Sequence, residues 1–327
     1  MKRYLLLLLF IVACATGQTT AKDINHFTVE DGIRIDYAAQ SYLITKNDYG
    51  FYEVYNKYND GVYLTYKDTT MDQTDDQTIL NPTKVAFSQD GLLFEEGTEF
   101  QTYQKPGVFI PGTEESPIYK KFILKKDGLT SSTSYNNGET YEKDEGYRYT
   151  FPDNSEQSIG YYDVFNNGQG QIILLYIGNF MTADESVHLA ISEDNGESFV
   201  LINDNILEDK GLESQGLNYR DPRVTMFDDG TMKVYTMVPG KAGPPIPGKE
   251  SRGYIYSHTS KDGGYTWTLD EGIRLQVSDF PYDVWSLNDP HVVQLENGQL
   301  RMYVTALIED QGSEMGYKEV LISAISG

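Results

Sequence analysis

The 327-residue chain has one cysteine, Cys14, and it lies in the N-terminal segment. The body of the chain can therefore hold no disulfide framework, zinc finger or cysteine nucleophile. Basic residues are also scarce: 26 Lys and Arg face 49 Asp and Glu, for a formal net charge of −23. That balance opposes binding to nucleic acid or to an anionic membrane surface. The four histidines, His26, His188, His258 and His291, are far apart, have no metal-ligand spacing, and are read as surface or packing residues. No phosphate-binding glycine loop and no G-x-S-x-G elbow is present.

Long apolar runs are missing except at the start, where Lys2 and Arg3 precede the stretch Tyr4 to Ala13. A spanning helix needs roughly 20 apolar residues, about twice this run. The order of charged, apolar and small residues over 1–15 is that of a secretory signal. Ile11-Val12-Ala13-Cys14 fits a lipobox with Cys14 as the lipidated residue, and Ala13-Cys14-Ala15 equally fits a plain cleavage site. On either reading the protein is exported, and a membrane holds it only through that lipid.

What the chain does have is 26 Tyr, 14 Phe and 30 Gly, a mixture that favours strands and tight turns over helices. It also repeats itself. Asp289 to Leu295 turns at Glu296-Asn297-Gly298 and returns through Gln299 to Val304, with a third strand over Val320 to Ser326. Asp221 to Phe227, the turn Asp228-Asp229-Gly230, the return to Tyr235 and the strand Gly253 to Thr259 follow the same order. Asn-Gly and Asp-Gly suit these hairpins because positive φ costs such residues little. Weaker copies run from Tyr162, from Tyr52 and, least clearly, from Tyr119 with its turn at Asp127-Gly128.

The run Ser260-Lys261-Asp262-Gly263-Gly264-Tyr265-Thr266-Trp267, with Ser192 to Phe199 as a near match, resembles the Asp-box (BNR repeat) of sialidases and related propellers. There the Asp side chain folds the turn between the third and fourth strands of a blade. The resemblance implies an all-β fold, a single β-propeller over 24–327 with five four-stranded blades. The last copy ends without a fourth strand, so the segment Phe27 to Ile35 is expected to supply it and close the ring. The sialidase catalytic set does not carry over, since Arg34-Ile35 is followed by Asp36 rather than Pro.

In such a blade one rim, here the leading rim, carries the starts of the first strands and the second-to-third loops. Those loops are long and variable at 67–81, 178–186, 239–252 and 307–318, so binding residues are expected there. Each return strand offers a Tyr as a ruler. Counting back fourteen from Tyr303, Tyr235, Tyr176 and Tyr66 gives Asp289, Asp221, Tyr162 and Tyr52, and the turn glycine gives Tyr119 for the fifth copy. Glu53, Lys120, Asp163 and Arg220 stand beside them, with Trp285 and Tyr219 on the approaches. Aromatic faces among carboxylates and an Arg suit a sugar.

Arg220-Asp221-Pro222 and Asn288-Asp289-Pro290 look like the motifs of the arabinanase- and invertase-type five-bladed glycosidases, though in reversed chain order. That resemblance implies glycoside hydrolysis, with Asp289 as base or nucleophile, Asp221 as transition-state stabiliser oriented by Arg220, and Glu53 or Glu309 as acid. A non-catalytic propeller that binds carbohydrate or protein is the alternative, and for each Asp the plainer reading is a cap on the entry of its strand. The acidic run Asp68, Asp72, Asp75 and Asp76 offers oxygen ligands for calcium, against a solvated face; no other cofactor is expected.

Overall fold

The computed structural model describes residues 26–35, 53–57, 61–67, 83–94, 108–110, 118–125, 127–136, 140–152, 162–179, 182, 184–214, 217–238, 253–312 and 317–327. The signal segment with Cys14, the acidic run Asp68 to Asp76, Tyr52 and the 239–252 loop lie outside them.

The strands fall in chain order into antiparallel sheets. After β1 (Phe27–Val29), sheet 1 has β2 (Glu53–Lys57), β3 (Gly61–Lys67) and β4 (Thr83–Ser88). Sheet 2 has β5 (Val108–Ile110), β6 (Ile118–Lys125), β7 (Gly128–Ser134), β8 (Glu142–Lys143) and β9 (Tyr149–Thr150). Sheet 3 has β10 (Tyr162–Asn166), β11 (Ile172–Gly178), β12 (Ser186–Ser192) and β13 (Val200–Asn203). Sheet 4 has β14 (Arg220–Met226), β15 (Met232–Val238), β16 (Tyr254–Ser260), β17 (Thr268–Leu269) and β18 (Leu275–Gln276). Sheet 5 has β19 (Val284–Gln294), β20 (Leu300–Glu309) and β21 (Tyr317–Ser326). First strands meet one another, β19 against β2 and β14, and β10 against β5 and β14. Apolar clusters fill the spaces between neighbouring sheets.

Four third strands end in the same turn, and its hydrogen bonds explain the sequence pattern. Ser260 Oγ donates to Asp262 Oδ1 at 2.8 Å, and that oxygen accepts the backbone N–H groups of Tyr265 and Thr266 at 3.1 and 3.0 Å. Asp194 does the same with Ser192 and Ser198, Asp90 with Ser88, Leu92 and Leu93, and Asn136 with Ser134 and Thr140. Register puts Ser260 opposite Met232, at the end of the sheet away from Arg220.

A second repeat, not read from the sequence, runs along the outer strands: Glu30-Asp31-Gly32-Ile33-Arg34, Asp144-Glu145-Gly146-Tyr147-Arg148 and Asp270-Glu271-Gly272-Ile273-Arg274. Each leading acid grips a basic residue of the second strand and a Ser of the third: Glu30 with Arg301 and Ser323, Asp144 with Lys120 and Ser131, Asp270 with Lys233 and Ser257. Each glycine has positive φ (88°, 79° and 85°), which turns the Arg guanidinium back onto the carbonyl three residues earlier.

Each of three sheets also holds the next sheet's turn. Lys120 and Arg148 clasp Glu197, Asn167 donates to the Gly263 carbonyl at 3.1 Å, and Tyr303 donates to the Gly91 carbonyl at 2.8 Å. The last of these contacts joins sheet 5 to sheet 1. There β1 lies antiparallel to β21, with Phe27 opposite Ser326 and Val29 opposite Ala324, so the N-terminal strand completes the last sheet as expected.

Candidate functional site at the starts of the first strands

Asp221 and Asp289 share an unusual backbone. Both have left-handed φ, 52° and 49°, and both sit where the pairing of the first strand with the second slips, between Arg220 and Arg223 and between Asn288 and His291. Asp tolerates this conformation better than most residues, yet a proline follows each one and normally holds its predecessor extended. Strain of this kind costs about 1–3 kcal/mol and persists only where the surroundings enforce it.

The two residues are brought together from adjacent sheets and are almost wholly buried, at 1% and 6% exposure. The backbone N–H of Asp289 donates to Asp221 Oδ2 at 3.2 Å, while Asp221 Oδ1 has no hydrogen-bond partner among the described residues. Burial pushes the Asp221 carboxyl up to about 6, against the pull of that N–H, of Arg223 and of Arg220. Asp289 lies in the middle of an eleven-residue strand rather than at its start, because β19 begins five residues earlier than the repeat implied.

The Arg beside the pair is mainly Arg223. Its Nη2 lies 3.9 Å from Asp289 Oδ1, its Nε donates to His291 Nε2 at 3.1 Å, and its Nη1 donates to the Tyr162 carbonyl. Arg220 instead forms a two-pronged ion pair with Glu185, itself 2% exposed. His291, read from the sequence as a packing residue, thus stands beside the Asp pair, whereas His188 and His258 do pack, against Tyr176 and Tyr219.

Arg223 and His291 were missed because the Tyr ruler mixed two faces. Tyr235 and Tyr303 are the third residues after Met232 and Leu300, which begin their strands, whereas Tyr176 is the fourth after Ile172. One residue of offset turns a side chain to the other face of its sheet. Tyr235 packs toward sheet 5, but Tyr176 packs toward sheet 2. With the serines that end the third strands as the ruler, Ser88 opposite Val62, Ser192 opposite Ile172, Ser260 opposite Met232 and Ser326 beside Leu300, the matching first-strand positions become Glu53, Asp163, Arg223 and His291. The signal was in the sequence, in the residue after each Asp-Pro.

The other expected site residues divide. Tyr162 turns its ring toward sheet 2, where its hydroxyl donates to the Phe122 carbonyl at 3.0 Å. Tyr119 is on β6, a second strand, opposite the turn residue Ser134 and therefore at the far rim, because β5 rather than β6 is the first strand of sheet 2. Tyr219 is 4% exposed, its hydroxyl donating to Asp209 Oδ2 at 3.1 Å, so it packs between sheets 3 and 4 instead of lining an approach. Asp163 ties its sheet to the next by accepting the Val224 N–H at 2.7 Å. Trp285 is half-buried on β19, four residues before Asp289. Glu309 is exposed at the end of β20, four residues, or about 13 Å, beyond the Thr305 that faces Asn288.

Solved structures supply a comparison for this frame. An α-L-arabinofuranosidase from Podospora anserina, in complex with cellotriose, matches with a TM-score of 0.51 at 11% identity, over 91% of this chain and 96% of that one. The fold is a β-propeller. An α-L-arabinofuranosidase from Fusarium graminearum matches with a TM-score of 0.49 at 8% identity (92% of this chain, 97% of that one). An endo-arabinase from Bacteroides thetaiotaomicron matches with 0.44 at 13% identity (67% and 79%). No protein-family model matches the chain, and no curated protein does. At these identities the likeness concerns the fold. Among the described residues no helix is long and apolar enough to cross a membrane.

Proposed function

We propose that this is an exported, carbohydrate-active propeller that hydrolyses a glycosidic bond at the leading rim of its channel. One observation carries the reading: two buried carboxylates, held in the same strained conformation by adjacent sheets, with an arginine beside them. A structural cap needs neither the burial nor the strain, and a solvated aspartate would serve it better. Glycoside hydrolysis needs a carboxyl pair whose members hold their protons differently. Asp289, beside the guanidinium of Arg223, takes the part of base or nucleophile. Asp221, whose proton is retained to about pH 6, takes the part of stabiliser. Glu53, which begins β2 at the register position of Arg223 and His291, is the first candidate for the acid, and Glu309, farther out along β20, is the second. The Ser-x-Asp turns are read as Asp-boxes, and the segment ending near Cys14 as the export signal, with or without a lipid on that residue. Since a fold neighbour is an α-L-arabinofuranosidase solved with cellotriose, pentose-containing and β-linked glucan oligosaccharides are the first substrates to try.

The test is to screen such oligosaccharides with wild type, Asp221→Asn and Asp289→Asn in parallel. An enzyme loses several orders of magnitude in turnover on Asp289→Asn, because an amide neither accepts the proton nor attacks. A binder loses only a charged hydrogen bond, about 1.5–3 kcal/mol of affinity. Unchanged behaviour of both variants toward every ligand found would make the two residues caps.

A further inference from the structure

We infer that Arg223, held in place by His291, is the positioning residue of the Asp221–Asp289 pair, and this rests on the reading of that pair as the functional centre. Its guanidinium sits where three sheets converge. It belongs to β14 of sheet 4, donates through Nη1 to the Tyr162 carbonyl of sheet 3, and reaches His291 and Asp289 of sheet 5 through Nε and Nη2. Arg223 is 9% exposed, and Nη1 also lies 3.4 Å from the Pro222 carbonyl. The planar fork lets one side chain address all of these directions at once; an ammonium on a flexible stem has no such fixed geometry.

His291 enters as an acceptor. Nε–H of Arg223 is a donor and nothing else, so the His291 Nε2 at 3.1 Å must present its lone pair, which leaves the ring proton on Nδ1. Each residue stands two positions after the Asp of its own sheet, at matching places on neighbouring first strands. The same two-residue bulge therefore sets each left-handed Asp above one member of the Arg–His pair. The Arg holds the Asp289 carboxylate and lends its charge to Asp221, and the His fixes the Arg.

The arrangement predicts the protonation of the carboxylates without any substrate. The probe is the full chain carrying Asp labelled with ¹³C at Cγ, titrated by NMR in wild type, Arg223→Gln, Arg223→Lys, His291→Gln and His291→Leu, with thermal melts alongside. Loss of the guanidinium in Arg223→Gln should raise the Asp221 midpoint by about one pH unit or more, the scale of a lost opposite charge nearby. His291→Gln keeps an acceptor and should leave the midpoint near wild type, whereas His291→Leu should move it toward that of Arg223→Gln. Arg223→Lys, with charge but no fork, should fall between. If Arg223→Gln folds and the Asp221 midpoint stays put, the proposal is overturned. If that variant does not fold, the two His291 variants decide, and equal midpoints for Gln and Leu overturn it. Shifted midpoints in a protein that cleaves no glycan would sink the hydrolase reading and leave this one standing.

Discussion

Replacing Asp221 by Asn separates a functional carboxylate from a structural one through the sign of a stability change. The folded protein holds the Asp221 proton to about pH 6, against 3.8 for a free aspartate, because burial disfavours the charge more than Asp289 N–H, Arg223 and Arg220 favour it. A carboxyl whose folded pKa is raised contributes stability that is fully present below 3.8 and lost as the pH rises through 6. At about 1.4 kcal/mol per pH unit, ionised Asp221 costs the fold about 3 kcal/mol above pH 7. Asn keeps the shape, keeps an oxygen for the Asp289 N–H and accepts left-handed φ, but never ionises. Asp221→Asn should therefore match wild type near pH 4 and be more stable by about 3 kcal/mol at pH 8, raising Tm by about 5 °C for a domain of this size. Differential scanning calorimetry on the full chain at both pH values is the assay. A variant less stable than wild type at pH 8 would show that the ionised carboxylate bonds the strand, and the argument from burial would fail. Stability gained while activity is lost is the expected mark of a site under functional strain.

Asp262→Ala should lower stability by about 1–3 kcal/mol by stranding the turn amides of Tyr265 and Thr266, with glycan binding unchanged, as urea unfolding and a binding titration would show. At Gly91, φ is +73° and an added Cβ would lie 2.5 Å from the Tyr303 hydroxyl, so Gly91→Ala should cost about 2–4 kcal/mol by strain and a broken buried hydrogen bond, while Tyr303→Phe should cost about 1–2 kcal/mol; chemical denaturation ranks the two. Burial raises the Asp194 and Asp262 carboxyls, but bonds from Ser198 and Thr266 outweigh it and leave both below their usual value. A depressed folded pKa gives stability that is present above the unfolded value and lost as the pH falls through the folded one, so melts should fall off below about pH 4, and less steeply in Asp262→Asn.

The parts of this molecule legible in the sequence are those fixed by local chemistry. Hairpin turns such as Asn297-Gly298 and the Ser-x-Asp turns depend on residues close together in the chain, and with the unmatched outer edge of the last sheet they led to the right fold. The carboxylate pair was legible because Asp-Pro stands at corresponding places in two copies. Position within the channel was harder, since it depends on counting across a strand pair, where a single residue reverses the face. Tyr162 and Arg223 differ by that one step, and it decided which of them meets the Asp pair. Sheet 2 failed for another reason: its first strand, Val108–Ile110, is only three residues long, so the following hairpin was taken for it. The acid-Gly-Arg repeat at 30–34, 144–148 and 270–274 was visible but split by the ring, its first copy belonging to the last sheet.

That split has a consequence in time. Glu30 and Arg301 bond although they stand 271 positions apart, and β1 can pair only with a strand that is synthesised at the far end of the chain. Bringing two such distant segments together costs a flexible chain about 5 kcal/mol in loop-closure entropy, and nothing made earlier can repay it. The sheets can gather in order of emergence, but the clasp between Glu30, Arg301, Ser323 and the Asp90–Leu92 turn must form late. Refolding should then show a slow phase that reports on this seam, and a protease offered the native protein should find its first cut where β1 peels from β21.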